Sequence, residues 1–269
     1  MSDSALHALA RRIEGANASA LASHSETAAR LFPELGATAI SVAGGLACFV
    51  GKESPISYAV GLGLHGSVTA DDVRQVVEFY ESRGVVPRVD VCALADPSLL
   101  AALREHDFQL HWFVNVLTRR LELWDIIAPP PDGIAIRQAE THEAELWTRV
   151  VDEGFSDGAP LTETRRQLGL MLFHRPTMRC YFARVAGEIA GAGALFVHEG
   201  YAALVATSVR VPFRRRGVHA ALIRARLQVA QDLNCDAAGF FAEPGSISQR
   251  NAERHLFRLA YVKAVMKRA

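Results

Sequence analysis

This chain of 269 residues has only four cysteines, no net charge and no long apolar run. Each of these features argues against a class of protein. The four cysteines lie far apart and form no C-x-x-C pair, which argues against a disulfide framework and a zinc site. Basic and acidic residues number 29 each, so the chain lacks the basic surface typical of nucleic-acid binders. No apolar run approaches the length that crosses a bilayer. We therefore expect neither nucleic acid nor a membrane as partner, and a cytoplasmic location.

Two kinds of catalytic centre are also missing from the sequence. The ten histidines include no pair at i, i+4 joined by a carboxylate motif, so no metal site is predicted. No G-x-S-x-G elbow supports Ser-His-Asp chemistry. Half of the residues are apolar, which is enough to build the core of a globular protein.

The most informative stretch is a strand, a basic turn and a helix between residues 205 and 230. Alternating valines predict a strand that ends at Pro212, and three arginines and Gly217 precede a helical pattern. The first turn of a helix has backbone N–H groups without partners and a partial positive charge. Gly217 lets the backbone approach a ligand closely, and the arginines add charge that can neutralise a diphosphate. This arrangement predicts an anion-binding site.

The run from Arg214 to His219, RRRGVH, resembles the Arg/Gln-x-x-Gly-x-Gly/Ala pyrophosphate loop of the GNAT superfamily of N-acetyltransferases. His219 departs from the pattern, because it places a side chain where the family prefers glycine or alanine. The resemblance implies acetyl-CoA as co-substrate, with pantetheine lying between two strands that splay apart. The residues it implies for acetyl-CoA binding are Ser208, Val209, Val211, Arg214, Arg215, Arg216, Gly217, Val218, His219, Ala220 and Asn251.

The order of elements extends the resemblance to the fold. Residues 134–269 read as the strands and helices of a GNAT domain, and residues 1–125 repeat that order as a diverged second unit. The prolines of residues 126–133 predict a stiff linker between the two. The predicted fold class is therefore α+β, with two GNAT-like domains that each have a mostly antiparallel central sheet flanked by helices. The first half has no arginine at the matching turn, Leu64–Ser67, so only the second half is expected to bind CoA.

Amine attack on a thioester needs a base, a site for the oxyanion and a proton for the leaving thiolate. Glu243 follows a predicted buried strand and is the candidate base, although it could equally be a surface carboxylate beside a Pro-Gly turn. The tyrosine that many family members use as the acid is missing, since Ala252 occupies the matching position. Tyr261 and Ser248 are the remaining candidates for the acid, whereas Ser246 fits a helix cap with Gln249.

The loop after the first helix of the second half commonly borders the acceptor site in this family. By that resemblance Glu153, Phe155 and Asp157 are candidates for acceptor contact, with a solvated loop as the alternative. The favoured function is acetyl-CoA-dependent N-acetyltransfer to a small-molecule amine. A non-catalytic acyl-CoA sensor and a protein or peptide N-acetyltransferase remain alternatives, and the sequence leaves homodimer formation open.

Overall fold

The computed structural model describes residues 3–269, which form both helices and strands. The helices are α1 (Asp3–Leu31), α2 (Ala70–Glu81), α3 (Ser98–Glu105), α4 (Ala144–Phe155), α5 (Glu163–Phe173), α6 (Val218–Asp232) and α7 (Ile247–Glu253). The strands are β1 (Thr38–Val42), β2 (Gly45–Phe49), β3 (Ala59–Val60), β4 (Arg88–Cys92), β5 (Phe108–Arg120), β6 (Ile134–Gln138), β7 (Met178–Val185), β8 (Glu188–His198), β9 (Tyr201–Val209), β10 (Ala237–Ala242) and β11 (Arg258–Arg268). Within residues 3–269, no helix is both long enough and apolar enough to cross a membrane.

The chain divides into two compact units whose limits differ from the sequence-based boundaries 1–125, 126–133 and 134–269. The first unit runs to Val116 and also takes in two later segments, Ala242–Pro244 and Leu259–Ala269. The second unit contains Leu117–Phe241 and Gly245–Arg258. The difference at the C-terminus arises because β11 pairs antiparallel with β4 of the first unit. The order of residues along the chain does not reveal that this C-terminal strand belongs to the first unit.

The first unit contains the strand order β1-β2-β3-β4-β11-β5. The pairs β1–β2, β2–β3 and β4–β11 are antiparallel, whereas β3 and β4 run parallel. α2 begins at a capping box in which Thr69 Oγ1 accepts from the Asp72 backbone at 3.2 Å, and the Asp72 carboxylate accepts from the Thr69 N–H at 2.8 Å. The apolar face of this helix, which includes Val73, Val76, Val77 and Tyr80, is buried. The core of the unit forms between this face and the sheet.

A buried polar cluster joins α1 to the sheet of the first unit. The Glu14 carboxylate accepts hydrogen bonds from Tyr261 Oη at 2.8 Å and from Lys263 Nζ at 3.0 Å. Asp90 lies 3.9 Å from the same ammonium group. The opposite charges compensate one another where water is excluded, so removing one partner would leave a buried charge unpaired.

The second unit contains the strand order β5-β10-β9-β8-β7-β6. β6 to β9 form an antiparallel meander. The parallel pairing of β9 with β10 is short, because it covers only Tyr201–Ala203 against Ala237–Gly239. Beyond that pairing the two strands separate, and we call the segments Leu204–Val209 and Phe240–Phe241 the β-fork.

Tyr201 packs against β10 at the base of the β-fork and makes Gly239 indispensable there. The tyrosine is almost completely buried, and a Cβ built on Gly239 would lie 1.3 Å from its hydroxyl oxygen. Real Cβ atoms do not approach other heavy atoms so closely, so only glycine fits against this ring without displacing it.

We expect Gly239→Ala to destabilise the protein by about 3 kcal/mol or more, because the added methyl group must push Tyr201 or β10 aside. Denaturant unfolding measures the change. Gly15→Ala in α1 is the matched control, since nothing lies within 4 Å of its added Cβ. A loss below about 1 kcal/mol for Gly239→Ala would contradict the packing described here.

Candidate active site

The three arginines occupy a short turn between β9 and α6. A single 3-10 turn at Val211–Phe213 follows β9, with Pro212 inside it and Phe213 buried. Gly217 is the N-cap of α6 and adopts the left-handed conformation, with φ of 80° and ψ of 0°. Arg215 also has a positive φ, 62°. Because Gly217 has no side chain to cap the helix, the N–H groups of the first turn remain available to an anion.

A cavity of about 830 Å³ opens beside this turn, and we call it the donor cavity. Its walls come from the end of α4, the end of β9, the arginine turn, the start of α6, and α7. The lining residues are Gly154, Phe155, Asp157, Thr207, Ser208, Val209, Phe213, Arg214, Arg215, Gly217, Val218, His219, Ala220, Ile247, Ser248, Asn251, Arg254 and His255. All the residues implied for acetyl-CoA binding line this cavity except Val211 and Arg216.

The three arginines differ in their partners. Arg214 donates to the Gly154 carbonyl at 2.9 Å and to the Asp157 carboxylate, so it ties the loop after α4 to the turn. Arg216 lies over the Phe213 ring, with Cζ 5.5 Å from its centroid. Arg215 lines the cavity, is exposed, and makes no hydrogen bond or ion pair with any described residue. Arg215 is therefore the guanidinium best placed to pair with a bound anion.

A second cavity of about 220 Å³ lies within the β-fork, and we call it the fork cavity. It is lined by Phe155, Tyr201, Ala203, Leu204, Val205, Ala206, Thr207, Gly239, Phe240, Phe241 and Ser248. None of these side chains is charged. Phe155, Thr207 and Ser248 line both cavities, so the two spaces adjoin at these residues.

A β-bulge shapes the β9 side of the β-fork. Ser208 pairs with Ala192 and Val205 pairs with Ala194, so two residues of β9 oppose the single residue Gly193. One of the two, Ala206, has a φ of 50°, which is unusual for a residue with a side chain. The Ser208 hydroxyl donates to the Val150 carbonyl of α4 at 3.2 Å. The proton of the Ser208 hydroxyl is therefore used within the protein, and its backbone is the part that can donate to a ligand.

Two histidines with lowered pKa values, His219 and His255, line the donor cavity. Both ring nitrogens of His219 are buried and lack a hydrogen-bond partner among residues 3–269. Burial, followed by the charges of Arg226 and His255, lowers the pKa of His219 to about 4. His255 has its pKa lowered mainly by burial, and its Nδ1 lies 2.8 Å from the Asn251 carbonyl. Because a carbonyl only accepts, Nδ1 carries the proton in neutral His255.

The three acceptor-contact candidates occupy different environments. Glu153 accepts from Arg210 Nε at 2.6 Å, and Asp157 is paired with Arg214. Phe155 is 66% exposed and stands at the junction of the two cavities. Phe155 is thus free to touch a ligand, whereas the two carboxylates already have cationic partners.

The catalytic candidates are separated by the division of the chain. Ser248 lines both cavities, and Ser246 caps α7 by accepting from the Gln249 N–H at 3.1 Å, which confirms its capping role. Glu243 is exposed and directly follows β10, in a segment that belongs to the first unit. The Tyr261 hydroxyl donates to buried Glu14, also in the first unit, and this favours a structural role for it. The catalytic roles of these residues stay predictions.

Sequence reasoning missed Arg226, the buried arginine of α6. It lies four residues after Leu222 and four before Ala230, on the buried face of the helix. That spacing was visible in the sequence, but an arginine is normally assigned to the solvent face. In the part of the chain that the structure describes, no group of three or more histidine, cysteine or carboxylate side chains could hold a metal ion.

The comparison with protein families gives a match that covers the part of the chain that forms both cavities. Residues 137–259 match the acetyltransferase (GNAT) family. No curated protein matches the sequence.

Several solved structures have a similar fold at low identity. A GCN5-related N-acetyltransferase from Kribbella flavida has a TM-score of 0.62 at 13% identity, over 91% of this chain and 95% of that one. One from Sphaerobacter thermophilus has a TM-score of 0.57 at 19% identity, over 78% of this chain and 71% of that one. A tandem GNAT protein from the clavulanic acid biosynthesis pathway has a TM-score of 0.58 at 14% identity, over 83% of this chain and 77% of that one. The expected fold class is thereby confirmed.

The lowered pKa of His219 predicts how stability depends on pH. Because the folded protein binds this proton more weakly than the unfolded chain, stability falls as pH drops from about 6.5 towards about 4. The full loss is on the order of 3 kcal/mol for this side chain. We expect His219→Leu to flatten the free energy of unfolding between these pH values, as measured by denaturant titration.

A slope for His219→Leu equal to that of the wild type would show that His219 does not titrate in this window.

Proposed function

We propose that this chain is an acyltransferase that transfers the acetyl group of acetyl-CoA to an amine of a small molecule. The match of residues 137–259 to the acetyltransferase (GNAT) family supports this proposal. The observation that carries the proposal is the meeting of the donor cavity and the fork cavity at Phe155, Thr207 and Ser248. A long, charged donor and a small acceptor need two spaces of different size and polarity with a shared opening, and the second unit provides both.

The donor cavity has groups that suit a diphosphate and a pantetheine arm. The N–H groups at the start of α6 and the guanidinium of Arg215 favour the negative phosphates. The β9 edge beyond Ala203 no longer pairs with β10, so its backbone can bond to the amide groups of pantetheine. Acetyl-CoA supplies the activated acyl group, and the protein contributes mainly its position.

The fork cavity supports a small, neutral acceptor. Its volume of about 220 Å³ leaves room for a compact group rather than a folded surface. Since no charged side chain lines it, a protonated amine would lose hydration there without gaining a partner. The amine therefore reacts in its neutral form, and a base must accept a proton from it during or before attack.

We assign Glu243 as the base. We assign Ser248 as the residue that relays a proton to the departing thiolate. Glu243 comes directly after β10, the strand that contributes Gly239, Phe240 and Phe241 to the fork cavity. Ser248 has a hydroxyl at the junction of the two cavities, where a water could connect it to the leaving group.

Release of free thiol from acetyl-CoA with pooled small amines tests the function, and peptides with free N-termini or lysines provide the comparison. We expect amine-dependent thiol release by the wild type that exceeds the release with peptides. Glu243→Gln should lower kcat by about a hundredfold or more, and the deficit should shrink as pH approaches the pKa of the amine. Glu188→Gln, at an exposed strand end, is the matched control.

Greater activity on peptides would replace the small-molecule proposal by the protein acetyltransferase alternative. Acetyl-CoA binding with no thiol release from either pool would support the acyl-CoA sensor instead. Full activity of Glu243→Gln would remove Glu243 from the mechanism while leaving the reaction intact.

The different surroundings of the arginines predict unequal effects on donor affinity. Arg215→Ala should weaken acetyl-CoA binding about tenfold or more, because it removes a charge-assisted bond to phosphate. Arg216→Ala, whose guanidinium lies over Phe213, should have a smaller effect. Calorimetric titration at low and high salt measures the acetyl-CoA affinity of both variants. The difference in affinity between the two variants should narrow at high salt. Equal losses for the two variants would contradict the assignment of Arg215.

A further inference from the structure

Arg226 of α6 is a fully buried cation without an anionic partner. Its guanidinium donates to the Ala194 carbonyl at 2.8 Å, the Val205 carbonyl at 3.1 Å and Thr207 Oγ1 at 2.7 Å. Its Nε donates to the Leu222 carbonyl of its own helix at 2.8 Å. Every acceptor is neutral, and none of the described carboxylates comes within ion-pair distance. Burial lowers the pKa of Arg226 to about 9.

An arginine in this place is not explained by stability alone. Moving a lone cation out of water costs several kcal/mol, which neutral hydrogen bonds offset only in part. A methionine would follow a similar path between helix and sheet without that cost. The neighbouring sheet also makes room for the guanidinium, because a Cβ on Gly193 would lie 3.1 Å from Arg226 Cζ. The special property of arginine here is its planar guanidinium group, which donates to several acceptors at fixed angles.

Those acceptors are the residues on either side of the β-bulge. Val205 and Thr207 flank Ala206, whose φ of 50° is the strained point of β9. Ala194 belongs to β8, one residue beyond Gly193, the residue that the bulge opposes. The guanidinium thus bridges both strands across the irregularity. A bulge held at three points keeps one geometry, whereas an unsupported bulge can relax to another register.

The bulge in turn sets the direction of the β9 segment that lines the donor cavity. Thr207, Ser208 and Val209 follow the strained residue and line the donor cavity, and Thr207 also lines the fork cavity. A displacement of this segment would move the backbone groups that border the acetyl-carrying end of the donor. The anion site at the arginine turn, which begins after Val209, would be affected less.

We propose that Arg226 is a positioning residue for acetyl transfer, which clamps the β9 bulge so that Thr207–Val209 keep the alignment the reaction needs. The proposal rests on the acetyltransferase function proposed above. Under this proposal the affinity for the donor depends on the arginine turn. The orientation of the bound donor depends on the contacts of Arg226 with the bulge. Small errors of orientation lower kcat far more than affinity.

The test compares Arg226→Lys with Thr207→Val and with Arg224→Gln as control. Arg226→Lys keeps the positive charge but loses the planar guanidinium group. Thr207→Val removes one acceptor without changing Arg226. Arg224 is on the same helix, donates to the Pro129 carbonyl and touches neither cavity. The readouts are calorimetric affinity for acetyl-CoA, kcat for amine-dependent thiol release, thermal unfolding, and hydrogen–deuterium exchange of the β9 amides.

We expect Arg226→Lys to reduce kcat at least tenfold while the affinity for acetyl-CoA changes less than threefold. Exchange should accelerate at residues 205–209 and stay unchanged in the rest of the sheet. Thr207→Val should give the same pattern at smaller size, and it decides the question alone if Arg226→Lys does not fold. Arg224→Gln should match the wild type.

Wild-type kcat and wild-type exchange in both variants would overturn the proposal. A parallel fall of affinity and kcat, with exchange raised throughout the unit, would also overturn it, because Arg226 would then have only a general structural role. If the wild type releases no thiol with any amine, the proposed function fails, and exchange at residues 205–209 still decides whether Arg226 holds the bulge.

Discussion

The short parallel pairing between β9 and β10 is the constraint on which the candidate site depends. Hydrogen bonding between these strands stops after Ala203 and Gly239, and the remaining edge of β9 is left to face a cavity. Buried backbone groups need partners, so an edge of this kind inside a sheet is costly unless a ligand or water satisfies it. The structure supports the opening from both sides, with Tyr201 packed on Gly239 at its base and Arg226 bound behind the bulge.

Charge is arranged around this opening so that positive groups collect at one end. The start of α6 and Arg215 supply an anion site, while Asp157 neutralises Arg214 and Glu153 neutralises Arg210. The fork cavity at the other end has no charged lining. A donor whose phosphates bind at the charged end would place its uncharged reactive end at the junction with the fork cavity. Electrostatics would therefore orient the donor before any close contact forms.

Much of the fold could be predicted from sequence because local signals agree with tertiary structure. Alternating valines, Pro212, the arginines and Gly217 identified the strand, the turn and the helix that form the donor cavity. The repeated order of elements predicted two units, and low-identity structures of similar fold include a tandem GNAT protein. The pairing of β11 with β4 in the first unit could not be predicted, because local periodicity does not indicate which distant strands pair.

The individual roles of the arginines and of Arg226 also lay beyond sequence reasoning. Which guanidinium remains unpaired depends on Asp157, Gly154 and Phe213, residues that reach the turn only after folding. Arg226 was overlooked because its neutral acceptors come from two strands and a bulge that no pattern predicts. His219 was visible as a departure from the family motif, but its burial and unpartnered nitrogens were not.

The most direct test of this account is a crystal structure of the protein with bound CoA. We predict that the diphosphate lies at the first turn of α6 within reach of Arg215, and that the pantetheine arm follows β9 between Thr207 and Val209. The thiol should reach the junction of the two cavities formed by Phe155, Thr207 and Ser248. A diphosphate bound away from α6, or a thiol that ends away from this junction, would contradict this prediction.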